Sequence, residues 1–289
     1  MMISIAHLGP SGTYAELAAL YYVSWLTKNT KTEASLSPYP SIFQTLCSVA
    51  KGESDLAVVP VENSIQGGVT VTLDTLWQLD NLQIQLALVV PITHSLISRS
   101  ESLDSIETVY SHPQALAQCQ KWLEKYLPRV QLVPTNSTTE GLQKLDNVTA
   151  AAISSQRAAQ LYNLPTLANG INDYPENCTR FWIVSQPGNT PNHEILKKTA
   201  FYTSLAFSVP ANLPGVLVKP LQVFANQNIN LSKIESRPTK RSLGEYLFFM
   251  DLEADVSSNT MQSALAELSN YTEILKIFGS YNVLPIESL

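Results

Sequence analysis

The order in which strand-like and helix-like segments alternate constrains the fold of this chain more than any other feature. Over residues 1–185, short apolar strands alternate with helical segments. Capping boxes mark helix starts at Thr13, Ser41 and Ser137, because each is followed three positions later by Glu or Gln. Such βαβα alternation predicts an α/β region built on one or two mostly parallel sheets.

The pattern changes after a short linker. Residues 186–197 carry proline, glycine and asparagine without hydrophobic periodicity, so we predict a linker there. Residues 198–289 then follow the order βαββαβ, which is typical of a ferredoxin-like domain, and we expect its first helix over Val216–Phe224. A chain of 289 residues is long enough for these two domains.

Composition excludes several classes of function. A net charge of -6 argues against a general nucleic-acid binder, because binding phosphates requires a basic surface. The 3 cysteines are far apart and the 4 histidines lack metal-ligand spacing, so we expect free thiols, a reducing compartment and no metal. We find neither a leader pattern nor an apolar stretch of about 20 residues, so we expect a cytoplasmic protein without membrane attachment.

Polar motifs follow several predicted strands, at the positions where ligands bind in open α/β sheets. The loop Gly9–Thr13 opens a helix, so its backbone N–H groups and the helix dipole favour a carboxylate. Val59–Gly68 places a carboxylate, an amide and a hydroxyl in series at Glu62, Asn63 and Ser64. A tight turn in the first segment and a polar loop in the second are the alternative interpretations.

Two more motifs lie at junctions between predicted elements. His112 precedes a proline at a predicted helix start, where a capping role is the alternative to catalysis. Asn177–Phe181 precedes the last strand of the first domain and contains Thr179 and Arg180. The guanidinium of Arg180 can bind a carboxylate through two hydrogen bonds, although an exposed salt bridge is the alternative.

Taken together, these motifs resemble the prephenate dehydratase family, in its small form with a C-terminal ACT regulatory domain. The resemblance covers nearly the whole chain and keeps the family's motif order. The segments that carry it are Gly9-Pro10-x-Gly12-Thr13, Val59–Ser64, His112–Cys119, Asn177-x-Thr179-Arg180-Phe181 and Glu235–Pro238.

This resemblance implies a fold, an activity and a mode of regulation. The fold would be two α/β lobes with a cleft, similar to periplasmic binding proteins, followed by a ferredoxin-like ACT domain. The activity would be the decarboxylative dehydration of prephenate to phenylpyruvate, a hydro-lyase reaction in phenylalanine biosynthesis that uses no cofactor. The ACT domain would bind phenylalanine and regulate the enzyme, and the chain would form a homodimer or homotetramer.

Prephenate carries two carboxylates and a leaving hydroxyl, and these groups define the roles that we predict for side chains. The family's catalytic threonine falls on Thr179, which we expect to donate a hydrogen bond to the leaving oxygen; Glu62 is the rival acid if burial raises its pKa. We expect Arg180 to bind the pyruvyl carboxylate. The remaining predicted substrate residues are Phe181, Asn63, Ser64, Ser11, Gly12, Thr13, His112 and Gln114. The predicted phenylalanine-binding residues are Gly215, Val216, Leu217, Glu235, Ser236, Arg237 and Pro238.

Two alternatives to this function remain open. An arogenate dehydratase would use the same scaffold on a substrate in which an amino group replaces the keto group. A non-catalytic amino-acid-sensing binding protein would need the cleft and the ACT domain without the chemistry. Two departures from the family bear on the phenylalanine response: Val216 replaces alanine, and Pro220 falls inside a predicted helix, where proline costs about 3 kcal/mol.

Overall fold

The computed structural model describes residues 2–188 and 201–285 of the chain. Most of the predicted linker, from residue 189 to residue 197, lies outside the described residues, as do both ends of the predicted second domain. In chain order the strands are β1 (Ile3–Leu8), β2 (Ala34–Tyr39), β3 (Leu56–Asn63), β4 (Gly67–Gly68), β5 (Gln83–Pro91), β6 (His94–Ser98), β7 (Thr108–Ser111), β8 (Gln131–Pro134), β9 (Ala150–Ser155), β10 (Thr166–Asn169), β11 (Cys178–Ser185), β12 (Phe201–Ser208), β13 (Leu231–Pro238), β14 (Tyr246–Leu252) and β15 (Ile274–Pro285).

Eight α-helices connect these strands within the described residues. They are α1 (Tyr14–Thr30), α2 (Ile42–Ala50), α3 (Thr70–Gln78), α4 (Pro113–Ala117), α5 (Gln120–Tyr126), α6 (Gln156–Leu161), α7 (Val218–Asn226) and α8 (Asn259–Leu268). Short 3₁₀ turns occur at Leu103–Ser105, Glu140–Lys144 and Ser269–Tyr271. Among the helices of the described residues, none has the length and apolar character that crossing a bilayer requires.

Two sheets organise the described residues into two lobes and a C-terminal domain. The larger sheet has the strand order β13-β14-β12-β15-β5-β11-β3-β1-β2, with β4 paired to β3. Its β1–β5 and β11 portion, residues 2–91 and 178–188, is the first lobe, and residues 201–285 form the C-terminal domain. The second sheet, β10-β6-β9-β7-β8, forms the second lobe, residues 94–169. The predicted two-lobed α/β region is therefore confirmed. The prediction of mostly parallel sheets is wrong, because β6 and β11 each run antiparallel to both of their neighbours.

The C-terminal domain has the predicted βαββαβ order, and its strands pair as β13-β14-β12-β15. The predicted start of its first helix is wrong, because α7 begins at Val218 rather than at Val216. Pro220 consequently lies in the first helical turn, where a backbone N–H has no intrahelical acceptor to lose. The expected cost of an interior proline therefore does not arise.

The first-lobe core fixes the elements that carry the functional side chains. Helix α1 begins at the predicted cap, where the Thr13 hydroxyl accepts a hydrogen bond from the Glu16 amide at 3.3 Å. Its buried face packs Tyr22 and Leu26 against the sheet, in the same core cluster as Phe181 of β11. Each such side chain contributes roughly 1.5–3 kcal/mol by its burial. The sheet and α1 therefore hold the carboxyl end of β3 and the start of β11 rigidly at the lobe boundary.

Candidate active site

A cleft of about 660 Å³ lies between the two lobes. The polar residues that line it are Thr13, Tyr14, Asn63, His94, His112, Gln114, Gln118, Asn136, Ser137, Thr138, Glu140, Gln143 and Thr179. Among the described lining residues there is no lysine or arginine, and one carboxylate, that of Glu140. An anion in this cleft therefore has to be bound by neutral hydrogen-bond donors.

Thr179 of β11 is one of the polar residues that line the cleft. It is the first-lobe partner of Asn63, because β11 and β3 run antiparallel with these two residues directly opposite each other. Both side chains are buried, and the Asn63 Nδ2 donates a hydrogen bond to the Thr179 Oγ1 at 3.0 Å. Since the hydroxyl oxygen accepts this bond, the hydroxyl proton of Thr179 is available to donate to a ligand.

Strand alternation separates Thr179 from its neighbour Arg180. Successive side chains of a strand point to opposite faces, so Thr179 and Phe181 line the cleft while Arg180 points to the C-terminal domain. There its Nη1 lies 3.0 Å from the Asp251 carboxylate, and its Nη2 lies 3.4 Å from the carboxylate of Glu62. Glu62 and Arg180 are both absent from the cleft lining. The predicted roles of Arg180 as a carboxylate ligand and of Glu62 as an acid do not fit this placement.

The loop before α1 contributes less to the cleft than the sequence predicts. Ser11 and Gly12 do not line the cleft, whereas Thr13 does. The Gly12 N–H donates to the Glu16 carboxylate at 2.7 Å, so this amide is already occupied. A Cβ at Gly12 would lie 3.2 Å from that of Ala158, and the residue has a φ of +89°, so the position requires glycine where the first lobe approaches the second.

Among the predicted residues of the Val59–Gly68 and His112–Cys119 motifs, some also line the cleft and others do not. His112 and Gln114 line the cleft, and the His112 Nδ1 accepts the Gln114 N–H at 3.2 Å as the cap of α4. Burial lowers the pKa of His112, which favours the neutral imidazole that this capping bond requires. Ser64 lies outside the cleft lining, where its hydroxyl accepts the Cys178 N–H at 3.0 Å. Its contribution is to fasten the two strand ends that carry Asn63 and Thr179.

The structure brings further residues to the cleft that the sequence analysis did not single out. Tyr14 donates its hydroxyl proton to the Thr93 carbonyl at 2.6 Å, and His94 lies 2.9 Å from Gln118 through its Nε2. Burial lowers the pKa of His94, partly offset by the Gln118 hydrogen bond. Gln118 could have been found, because it lies one helical turn after Gln114 in a motif already noted. His94 begins β6, outside every motif noted in the sequence, and gave no such signal.

The predicted effector residues lie on β13 and before α7. Arg237 of β13 donates from Nε and Nη2 to the two oxygens of Asp74 in α3, both at 3.1 Å. Glu235 packs against Gly68, where a side chain would collide with its carboxylate. Both residues therefore contact the first lobe rather than a free surface. The other predicted effector residues are the exposed Ser236 and Pro238 of β13 and the loop residues Gly215, Val216 and Leu217.

Comparisons with known proteins agree with this architecture. Family models for prephenate dehydratase and for the ACT domain match residues 5–189 and 203–270. A bifunctional chorismate mutase/prephenate dehydratase of Aquifex aeolicus is 39% identical over 96% of this chain and 73% of its own length. A prephenate dehydratase of Lactococcus lactis subsp. cremoris is 35% identical over 98% of this chain and 99% of its own. The crystal structure of an Arthrobacter aurescens prephenate dehydratase in complex with L-Phe superposes with a TM-score of 0.85, at 34% identity, over 97% of this chain and 90% of that one.

Proposed function

Because the chain belongs to the prephenate dehydratase family, we propose that its interlobe cleft converts prephenate to phenylpyruvate, carbon dioxide and water. The observation that carries this proposal is the buried Thr179 hydroxyl, whose oxygen accepts from Asn63 and whose proton is left for a ligand. A group of this kind can assist a departing hydroxide, and such assistance accelerates reactions by roughly 10²–10⁴-fold.

The reaction requires two bonds of the cyclohexadienyl ring to break. The electron pair of the ring carboxylate bond moves into the ring as carbon dioxide leaves, and the hydroxyl departs from the opposite end with its electron pair. Thr179 donates a hydrogen bond to that oxygen, and a proton relayed through water completes the departing water molecule. The formation of an aromatic ring supplies the thermodynamic drive.

The described cleft lining contains no lysine or arginine, and this suits the chemistry. A lysine or arginine held against the ring carboxylate would stabilise the anion that has to be lost, and would therefore oppose decarboxylation. Neutral donors bind both carboxylates with a smaller penalty, because their hydrogen bonds are weaker than those of a cation. Asn136, Ser137 and Thr138 of the second lobe and Gln114 of α4 are placed to supply them, since all four line the cleft with Thr179.

The direct test is turnover. Purified protein incubated with prephenate should release phenylpyruvate, which is followed by its absorbance in alkali. A parallel incubation with arogenate tests the amino-group substrate, and we expect the higher kcat/KM with prephenate. Binding of prephenate without any product would overturn the proposal in favour of a non-catalytic binding protein.

We further propose that L-phenylalanine binds the C-terminal domain and inhibits the enzyme. The Arthrobacter aurescens relative was crystallised with L-Phe. In this chain β13 is an edge strand of the large sheet, and the exposed Ser236 and Pro238 lie on it. An edge strand can pair with that of a second copy, so a homodimer or homotetramer presents two such edges together. Saturating phenylalanine should lower prephenate turnover, and unchanged turnover would overturn the proposed inhibition. Sedimentation should give a particle of two or four chains, and a monomer would overturn the proposed assembly.

We place the protein in the cytoplasm. Cys47, Cys119 and Cys178 are all free thiols, as expected for a reducing compartment. Fractionation of the source cells tests this location, and recovery in a secreted fraction would contradict it.

A further inference from the structure

A row of buried amide side chains links Thr179 in the first lobe to His94 in the second. The Asn63 Nδ2 lies 2.8 Å from the Asn177 Oδ1, and the Asn177 Nδ2 lies 3.0 Å from the Gln118 Oε1. The same Gln118 oxygen lies 2.9 Å from the His94 Nε2. The three amide side chains and the two residues at the ends of the row are all at least nine-tenths buried, so each hydrogen bond must be made with the correct donor and acceptor.

The direction of these hydrogen bonds is fixed at one end by the backbone. The Asn63 Oδ1 accepts from the backbone N–H groups of Ile65 and Gln66, at 3.1 and 3.2 Å. A backbone N–H can only donate, so the Asn63 side chain cannot be turned round without losing both bonds. Its NH₂ group therefore faces Asn177 and Thr179 as a donor.

The fixed orientation of the Asn63 amide determines the orientation of each following side chain in the row. Because the Asn177 Oδ1 accepts from Asn63, the Asn177 NH₂ group donates to the Gln118 Oε1. The Gln118 oxygen is then an acceptor, so the His94 Nε2 beside it must carry a proton. Burial lowers the pKa of His94 and so favours the neutral ring, in which the other nitrogen, Nδ1, is unprotonated. The Tyr14 hydroxyl lies 3.3 Å from Nδ1, while its proton is donated to the Thr93 carbonyl. The bond to Gln118 together with burial therefore gives a neutral imidazole in the Nε2–H form.

The row ends at the NH₂ group of Gln118. Its oxygen accepts two hydrogen bonds, whereas its Nε2 is buried and has no hydrogen-bond partner among the described residues. Gln118 lines the cleft beside Thr179 and is 4% exposed. A buried amide donor without a partner destabilises the protein, and a ligand oxygen in the cleft would satisfy it.

We propose that His94 is a positioning residue: its Nε2–H, acting with Asn177, holds the Gln118 amide so that the NH₂ group donates to a carboxylate oxygen of the substrate. The identity of that substrate rests on the proposed function, whereas the tautomer and the amide orientation do not. His94 acts through Gln118 and need not touch the substrate itself.

The tautomer can be measured on the protein without any ligand. In a two-bond ¹⁵N–¹H spectrum of protein labelled at its 4 histidines, with His94→Gln used to assign the signal, we expect the neutral Nε2–H pattern for His94 at pH 7. An Nδ1–H pattern or an imidazolium at that pH would overturn the proposal. Because no turnover is required, this result is independent of whether the chain acts on prephenate.

Kinetics of four variants test whether His94 acts through Gln118. His94→Leu should raise KM for prephenate about tenfold with a smaller change in kcat, since a hydrogen bond to the bound anion is lost. His94→Gln, whose amide nitrogen can reach the position of Nε2, should recover most of this loss. Gln118→Met should resemble His94→Leu, and the double variant His94→Leu/Gln118→Met should be no worse than Gln118→Met.

Multiplicative effects in the double variant would show that His94 acts independently of Gln118 and would overturn the proposal. A failure of His94→Gln to recover any activity, in a variant that unfolds at the same temperature as the parent, would do the same. If the parent protein fails to turn over prephenate, the proposed function fails, and the ¹⁵N measurement still decides the tautomer.

Discussion

The two faces of the strand pair β3–β11 differ in the chemistry that they carry. On the cleft face, Asn63 and Thr179 meet through a hydrogen bond between neutral groups. On the opposite face, Arg180 forms ion pairs with its cross-strand neighbour Glu62 and with Asp251 of the C-terminal domain. The period of two in a strand thus allows adjacent residues of one motif to serve two separate tasks.

The charged face gathers groups from both parts of the molecule. Lys233 of β13 lies 3.8 Å from Glu62 and 3.6 Å from Glu235. Burial raises the pKa of Asp251, while a hydrogen bond from Ser204 and the Arg180 cation oppose this rise. Charges that would hinder decarboxylation in the cleft are therefore used, one residue away, to join the C-terminal domain to the first lobe.

The largest expected effect lies on the neutral face. Thr179→Ala should lower kcat by roughly 10²–10⁴-fold with little change in KM, because the hydrogen bond to the leaving oxygen strengthens in the transition state. Thr179→Ser should retain much of the activity, since it keeps the hydroxyl. Steady-state rates of phenylpyruvate formation measure both variants. An unchanged kcat for Thr179→Ala would contradict the catalytic role that we assign to the cleft face.

Arg180→Met is expected to lower stability rather than kcat. The substitution removes the Arg180 cation from the buried Asp251 carboxylate and should lower the free energy of unfolding by about 2 kcal/mol. Breaking a fully buried ion pair costs about 3–5 kcal/mol, and we expect less here because 24% of the Arg180 side chain is exposed. Urea denaturation measures this change. The double variant Arg180→Met/Asp251→Asn should recover part of the loss. A kcat for Arg180→Met as low as that of Thr179→Ala would contradict its placement outside the cleft.

Asp74 gives the charged contact a dependence on pH. Burial alone would raise its pKa, but hydrogen bonds from Arg237 and Lys240 outweigh this and lower the pKa. A lowered carboxyl pKa adds stability above the unfolded value of about 3.9, and this stability is lost as the pH falls through the folded pKa. The stability difference between the parent and Asp74→Asn should be about 1 kcal/mol at pH 7 and should shrink below about pH 4. A difference that persists undiminished at low pH would contradict this account.

The smallest effect is expected for Glu62→Gln. Its contacts with Arg180 and Lys233 are 3.4 and 3.8 Å long and partly exposed, so the loss of stability should stay below about 1 kcal/mol. The kcat should change by less than about twofold. This variant separates the two candidate acids, because a general acid at Glu62 would require a fall of about 100-fold or more.

Several elements could be predicted because their signals are local. The caps at Thr13 and Ser41 form the expected hydrogen bonds, and the βαββαβ order of the C-terminal domain follows from its periodicity. Helix α3 was missed because its cap position, Val69, makes no side-chain cap bond and follows two glycines. Strand β2 was missed because its residues are all partly exposed or exposed and include a proline.

The site was predicted less completely than the fold, for a physical reason. The motifs identify which residues lie at the junction of β3 and β11, but not which face of these strands is the cleft. That choice depends on the docking of the C-terminal domain, which is a contact between residues more than 70 positions apart, such as Arg180 and Asp251. Glu62 and Arg180 were therefore grouped with Asn63 and Thr179, although they point the other way.

The parallel pairing of β15 with β5 has a consequence for any attempt to study the two parts separately. Residues Asn282–Pro285, at the end of β15, pair with Leu86–Val89 and so complete the first-lobe sheet. A chain cut after residue 188 would leave the β5 edge unpaired and expose the buried indole of Trp182. Such a fragment should aggregate through its open edge. We therefore expect the C-terminal domain to keep the first lobe soluble, in addition to regulating it.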